Sequence, residues 1–149
     1  MTTVSESRLH SAWWALRLSF GIVPFLAGLD KFLNILTDWT QYLNPVLQHA
    51  LPFSTTTLMH VVGVIEMTAG IAILTRWTRV GSYVAMVWLA AISASLVTTG
   101  RYFDVAVRDL VLAVGAYTLA SLTEVLDPAD SSQRVYGKDE QVPVLGQGA

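Results

Sequence analysis

The sequence contains no cysteine and few charged residues. Without cysteine, the chain has no disulfide, iron–sulfur cluster, thiolate zinc site or thiol chemistry. Aspartate, glutamate, lysine and arginine make up 13% of its 149 residues, against about 25% in a typical soluble domain. The net charge is −2 and no basic block occurs. We therefore expect no nucleic-acid partner.

Apolar residues are abundant instead. They make up 53% of the chain, and the mean hydropathy is +0.51. A soluble domain of this size would have a large surface to cover with polar groups, and this sequence supplies too few of them. A disordered chain would need far fewer apolar residues. The composition therefore predicts a small integral membrane protein built from a single domain.

Four apolar segments are long enough to cross a bilayer, which takes about 20 helical residues for ~30 Å of hydrocarbon. They cover residues 13–36, 57–74, 80–97 and 103–122. Their continuous apolar runs favour an all-α four-helix bundle over the alternating pattern of a membrane barrel. The predicted division is residues 1–12 as an N-terminal segment, 13–122 as the membrane domain and 123–149 as a polar, flexible tail.

Basic residues in the connections predict the orientation. With four spans, the N-terminus, the second connection and the C-terminus lie on one side of the membrane. We expect the first span to be retained, because Arg17 interrupts its apolar stretch and no A-x-A cleavage site follows. The positive-inside rule then predicts a multi-pass cell-membrane protein with both termini cytoplasmic. The termini side carries Arg8, Arg76, Arg79, Arg134 and Lys138, and the opposite loops carry Arg101.

The connection between the first two spans contains an amphipathic segment. Apolar residues recur at helical spacing from Trp39 to Leu51. Asp38, followed three residues later by Gln41, has the spacing of a helix cap. Pro45 disfavours one unbroken helix, although Asn44–Pro45 also suits the start of a second turn. We expect this segment to lie flat on the outer interface, either as a passive cover or as a ligand gate.

Charged residues inside the apolar segments form the candidate site, because such residues are costly in a membrane and need partners. At 100° per residue, Arg17 and Lys31 share a glycine-containing stripe of the first span. Glu66 lies between two glycines of the second span. Small residues allow close helix contact, so we expect these stripes to face each other and Lys31 to pair with Glu66. The candidate ligand-binding or ion-pair residues are Arg17, Asp30, Lys31, Glu66, Arg108 and Asp109.

Depth along the helices separates these residues into two groups. Glu66 lies about 13 Å below the outer end of its span, at 1.5 Å per residue. Lys31, Arg108 and Asp109 are expected to converge with it in the outer half, and Arg17 lies in the inner half. Carboxylates outnumber cations in the outer layer, and burial disfavours an ionised acid. Glu66 is therefore the candidate proton carrier, and the alternative is a static ion-pair network that fixes helix register.

Intrinsic cofactor sites are not expected. No two of the three histidines face each other at mid-membrane, which disfavours a bis-histidine haem. No Glu-x-x-His pair or two-histidine helix motif occurs, so we expect no metal site. His60 is better explained as a structural hydrogen-bonding residue than as a ligand.

Short motifs in the first two spans resemble a known membrane family. The run from Arg17 to Gly21, followed by Gly28–Leu–Asp–Lys31–Phe32, is similar to the first helix of DoxX-like proteins. The second run, Gly63–Val–Ile–Glu66–Met–Thr–Ala–Gly70, is also similar, as is the amphipathic segment before it. The resemblance extends over roughly residues 17–122. Asp30 and the Arg108–Asp109 pair are not assigned by it.

The resemblance implies a four-helix membrane bundle of bacterial or archaeal type. Its relatives are linked to quinone-coupled redox systems, including a small subunit of thiosulfate:quinone oxidoreductase, and to oxidative-stress complexes. The leading hypothesis is therefore a small membrane subunit that helps to bind quinone beside other redox subunits, with a homo-oligomer also open. The alternatives are a non-catalytic structural or assembly subunit and, third, a small transporter, although no inverted repeat is visible.

Overall fold

Four long helices follow the four apolar segments of the sequence. The computed structural model describes residues 2–50 and 52–126. Four helices in this part are long and apolar enough to span a membrane, and the part contains no strand. The predicted all-α, multi-pass membrane four-helix bundle is therefore confirmed. The elements are α1 (Thr2–Leu33), a 3₁₀ helix (Trp39–Tyr42), α2 (Pro45–Ala50), α3 (Thr55–Leu74), α4 (Thr78–Thr98) and α5 (Phe103–Leu126).

The long helices pack mainly as two pairs. α1 packs against α3 and α4 packs against α5, while α3 and α4 share a smaller interface. Because successive spans alternate in direction, the start of α1, the α3–α4 turn and the end of α5 share one end, the termini end. There the Trp13 indole donates to the Thr123 hydroxyl at 2.8 Å. The opposite, loop end carries the α1–α3 connection and the α4–α5 turn.

Glycine stripes bring α1 and α3 into backbone contact, as expected from their spacing. A Cβ added at Gly28 would lie 2.5 Å from the Gly63 carbonyl oxygen, and one added at Gly70 would lie 2.5 Å from that of Gly21. No side chain fits between backbones this close. The two charged stripes therefore face each other.

The first and last long helices differ from their predicted bounds. α1 begins at Thr2 and not at residue 13, and α5 runs to Leu126 and not to residue 122. Hydropathy marks the part of a helix that fits the apolar layer, so polar helical turns outside that layer escape it. Residues 123–126 of the predicted tail are helical, and residues 127–149 lie outside the described residues.

The C-terminal end of α1 is earlier than predicted, at Leu33 and not at residue 36. Asn34 takes a left-handed conformation, with φ of 50°, and its N–H donates to the Asp30 carbonyl. The Asp30 carboxylate then accepts the backbone N–H groups of Ile35 and Leu36, at 3.0 and 3.2 Å. A local side-chain acceptor has replaced the next helical turn.

Pro45 divides the amphipathic segment into two short helices. Asp38 caps the first by accepting the Thr40 N–H at 3.0 Å, and its bonds from the Thr40 hydroxyl and N–H lower the pKa of the Asp38 carboxyl. Asn44 starts the second by accepting the Val46 N–H at 2.9 Å. This matches the expected second turn at Asn44–Pro45. Leu51 lies outside the described residues.

Candidate functional site

A buried ion pair joins α1 to α3. The Lys31 ammonium lies 2.5 Å from Oε2 of Glu66, and the two side chains are only 5% and 14% exposed. The expected pairing is therefore confirmed in its geometry. With so little water near them, the two charges depend on each other for compensation.

Side-chain direction explains how the two groups meet. The Phe32 ring stacks on His60, with centroids 4.5 Å apart, so Lys31 lies several residues closer to the loop end than Glu66. Helical side chains lean toward the N-terminus of their own helix. The N-terminus of α1 is at the termini end and that of α3 is at the loop end. Lys31 and Glu66 therefore lean toward each other.

Trp39 covers this ion pair from the loop end. The Lys31 ammonium lies 3.9 Å from the centroid of the Trp39 ring, a close cation–π contact. The Trp39 indole N–H donates to Oδ2 of Asp30 at 2.7 Å. Asp30 thus ends α1 and also fixes the ring that covers Lys31. The Trp39 ring therefore faces the bundle.

Asp109 is the second buried carboxylate near this pair. It lies about two turns into α5 from the loop end, in the half of the bundle that also holds Lys31. Arg108 points away: its side chain is 61% exposed, and its Nε lies 3.2 Å from Oδ1 of Asp109. Neighbouring residues are 100° apart on a helix, so only one of them can face the bundle. Arg108 therefore does not join the convergent group in the outer half.

Arg17 has a different role, at the termini end. Its guanidinium donates to the carbonyl oxygens of Ile73, Leu74 and Thr75, at 3.0, 2.9 and 2.6 Å. These are carbonyls at the end of α3, which have no helical partner of their own. Arg17 also lies beside the rings of Trp13 and Trp14. It caps one helix and ties two together, separate from the Lys31–Glu66 pair.

The contacts show which carboxylate in the outer half of the bundle has no cation of its own. Lys31 compensates Glu66, and Arg108 compensates Asp109. The carboxylate in excess is Asp30, which three N–H donors stabilise without a cation of its own. Neutral donors can hold an ionised carboxylate. The excess of carboxylates over cations is therefore not a reason to expect a protonated Glu66.

The aromatic and histidine residues add structural contacts. His60 stacks on Phe32, and His10 accepts the indole N–H of Trp14 at 3.2 Å. No group of three His, Asp or Glu residues within the described ranges is arranged to hold a metal ion. The buried indole N–H of Trp88, on α4, has no hydrogen-bond partner among the described residues.

Two features escaped the sequence patterns. Trp39 reaches Asp30 and Lys31 through a loop whose course no helical periodicity encodes. At the termini end, the Tyr83 hydroxyl and Arg79 Nε both bond Oε1 of Glu124 at 2.9 Å. Arg79 and Tyr83 are four residues apart on α4, a spacing that could have marked them as neighbours. Their shared partner on α5 had no such signal.

Comparison with known proteins assigns the chain to a family. No curated protein and no solved structure shows a significant match to the chain. A sequence model of the DoxX family matches residues 12–99, which is more than half of the chain. The match contains Arg17, Asp30, Lys31 and Glu66, whereas Asp109 lies beyond it. The chain belongs to the DoxX family of membrane proteins.

Proposed function

We propose that this chain is a small subunit of a quinone-linked redox system in the cell membrane. In this proposal the Lys31–Glu66 pair binds the quinone head group or carries a proton to it. The observation that supports it is a buried ammonium–carboxylate pair under an aromatic ring, inside an apolar bundle. Quinone sites need such a combination of apolar surface and a few polar groups.

The atoms of the pair fit a quinone carbonyl. An ammonium has three N–H donors, and Lys31 uses one of them on Glu66. A further donor is therefore available for a carbonyl oxygen. Glu66 bonds through Oε2, while Oε1 has no hydrogen-bond partner among the described residues. Glu66 thus retains an oxygen that can exchange a proton, and its side chain is the more exposed of the two.

Electrons in this proposal come from a partner protein. A quinone takes up two electrons and two protons when it is reduced, and Glu66 serves only the proton side of that balance. A co-purifying flavin, haem or iron–sulfur protein after extraction in mild detergent would support the redox assignment. A stable oligomer of this chain alone that binds no quinone would favour the alternative below.

The alternative is a non-catalytic structural or assembly subunit. It is favoured by the contacts of the charged residues, since Arg17, Asp30, Lys31, Glu66 and Asp109 all have partners within the chain. Such pairs can fix helix register without any chemistry. The two functions differ in whether Lys31 and Glu66 affect a ligand.

A quinone titration separates them. Purified protein in nanodiscs is titrated with a short-tailed quinone while tryptophan fluorescence is followed. Trp39 can report binding because the centroid of its ring lies 3.9 Å from Lys31 Nζ. We expect saturable quenching, with Kd raised about tenfold, or 1.4 kcal/mol, by Glu66→Gln and unchanged by the distant control Arg79→Gln. The double change of Lys31→Met with Glu66→Gln removes both charges, so a rise in Kd in this variant is not caused by an unpaired buried charge. Non-saturating quenching that is equal in all variants would contradict quinone binding.

The orientation forms part of the same proposal. Outside the four predicted apolar segments, the described residues at the termini end include Arg8, Arg76 and Arg79, and the loop end carries Arg101 in its turn. The positive-inside rule then favours cytoplasmic termini. The Lys31–Glu66 pair would lie in the outer half of the bilayer, with Trp39 at the outer interface.

A further inference from the structure

α3 and α4 leave an apolar groove between them. It has a volume of about 260 Å³ and is lined on α3 by Ile65, Thr68 and Ala72 and on α4 by Val80 and Val84. The only hydroxyl among these five, that of Thr68, donates to the Val64 carbonyl at 2.7 Å. The groove therefore offers no unsatisfied polar group to an occupant. An acyl chain fits such a lining better than a polar molecule does.

A basic and aromatic turn lies at the termini end of this groove. Arg76 and Trp77 lie in the short turn that joins α3 to α4, the two helices that line the groove, four and three residues before Val80. Trp77 is 56% exposed, as suits a ring at the membrane–water interface. Arg76 is exposed and makes no ion pair with another described residue. A cation thus stands where the groove reaches the head-group layer.

We propose that this groove and Arg76 bind one anionic phospholipid, with its phosphate on Arg76 and one acyl chain along α3 and α4. Charge complementarity supports this occupant, because a lipid phosphate can pair with the exposed guanidinium of Arg76 while the acyl chain lies in the apolar groove. A second copy of the chain fits less well. In a two-fold dimer through this groove, Arg76 would approach its own counterpart. A neutral quinone would leave Arg76 without a role, and the proposal does not rest on the proposed function.

The head-group contact is tested by native mass spectrometry of the full chain with phosphatidylglycerol and phosphatidylcholine. We expect one phosphatidylglycerol bound in preference to phosphatidylcholine. Arg76→Gln should reduce that preference about fivefold, the value for ~1 kcal/mol per basic residue at a charged membrane surface. Arg8→Gln removes the same charge from the exposed start of α1, away from the groove, and should leave the preference unchanged. Equal losses in both variants would overturn the assignment of the phosphate to Arg76.

The acyl-chain contact needs a different pair of variants. Thr68→Phe places a ring in the groove and should abolish retention of the lipid. Thr118→Phe is the matched control, because Thr118 is exposed on α5 and its hydroxyl donates to the carbonyl four residues earlier, as in Thr68. Val84→Phe blocks the groove from α4 and replaces Thr68→Phe if that variant does not fold. Retention in both groove variants, or a dimer that Thr68→Phe dissociates, would overturn the proposal.

Discussion

Breaking the Lys31–Glu66 pair should be costly, and removing both charges should cost no more than removing one of them. Lys31→Met keeps the apolar stem and removes the charge, and Glu66→Gln keeps the shape of the carboxylate. Each single change leaves one charge without its partner at a site where the side chains are 5% and 14% exposed. Removing one member of a buried pair costs roughly 3–5 kcal/mol. We expect each single change to cost about 3 kcal/mol, the lower end of this range, because the Glu66 side chain is not fully buried.

The double variant is the decisive measurement. With both charges gone, neither group is stranded, so the double change should cost about as much as one single change. That result corresponds to a coupling energy of about 2–3 kcal/mol, at the upper end for residues in contact. Unfolding in mixed micelles, followed by circular dichroism, gives the free energies of the four proteins.

The chain contains a matched control pair at its termini end. Arg79 Nε lies 2.9 Å from Glu124 Oε1, but the two side chains are 60% and 29% exposed. The cycle of Arg79→Met with Glu124→Gln should give a coupling of at most about 1 kcal/mol, as for exposed ion pairs. If the Lys31–Glu66 cycle is additive, or no larger than this control, the argument from burial is wrong.

Four further predictions concern other parts of the fold. Gly28→Ala should destabilise the bundle by about 1–3 kcal/mol in unfolding measurements, because its methyl group meets the backbone of α3. The loss should be smaller for Gly115→Ala, whose methyl group meets the end of the Phe20 side chain and no backbone of a neighbouring helix. Arg17→Gln should uncap α3, seen as faster amide exchange in the α3–α4 turn but not at the loop end. Asp38→Ala should speed amide exchange in the 3₁₀ helix alone. The pKa of the Asp38 carboxyl is lower in the folded protein than in the unfolded chain. Its stabilising effect should therefore be constant above the unfolded pKa and be lost as the pH falls from there through the folded pKa. A reporter fused to the C-terminus should be active only in its cytoplasmic form, and activity outside would contradict the orientation.

Local sequence patterns were sufficient to predict the four spanning helices and the contact between α1 and α3. Apolar length marked the four spans, since the thickness of the hydrocarbon layer sets how many residues a span needs. The glycine stripes predicted that α1 and α3 touch, and the placement of Lys31 and Glu66 on those stripes predicted their pairing. Periodicity works here because each stripe depends only on residues of its own helix.

The helix ends were less accessible to the same patterns. The start of α1 at Thr2 lies in polar sequence, where hydropathy carries no signal. The end of α1 depends on Asp30, whose carboxylate accepts N–H groups from residues beyond the helix. A carboxylate inside an apolar run suggested an ion pair, and its use as a local cap could not be read from spacing.

The sequence by itself determined a membrane protein of four spans, a close α1–α3 contact and a buried pair between Lys31 and Glu66. These follow from composition and from the angle between residues on one helix. Only the tertiary structure decided that Trp39 covers Lys31, that Arg108 turns outward while Asp109 faces inward, and that Arg17 caps α3. Each of these depends on the course of a loop or on the rotation of one helix against another. Many residues set that rotation together, so no local pattern of the sequence contains it.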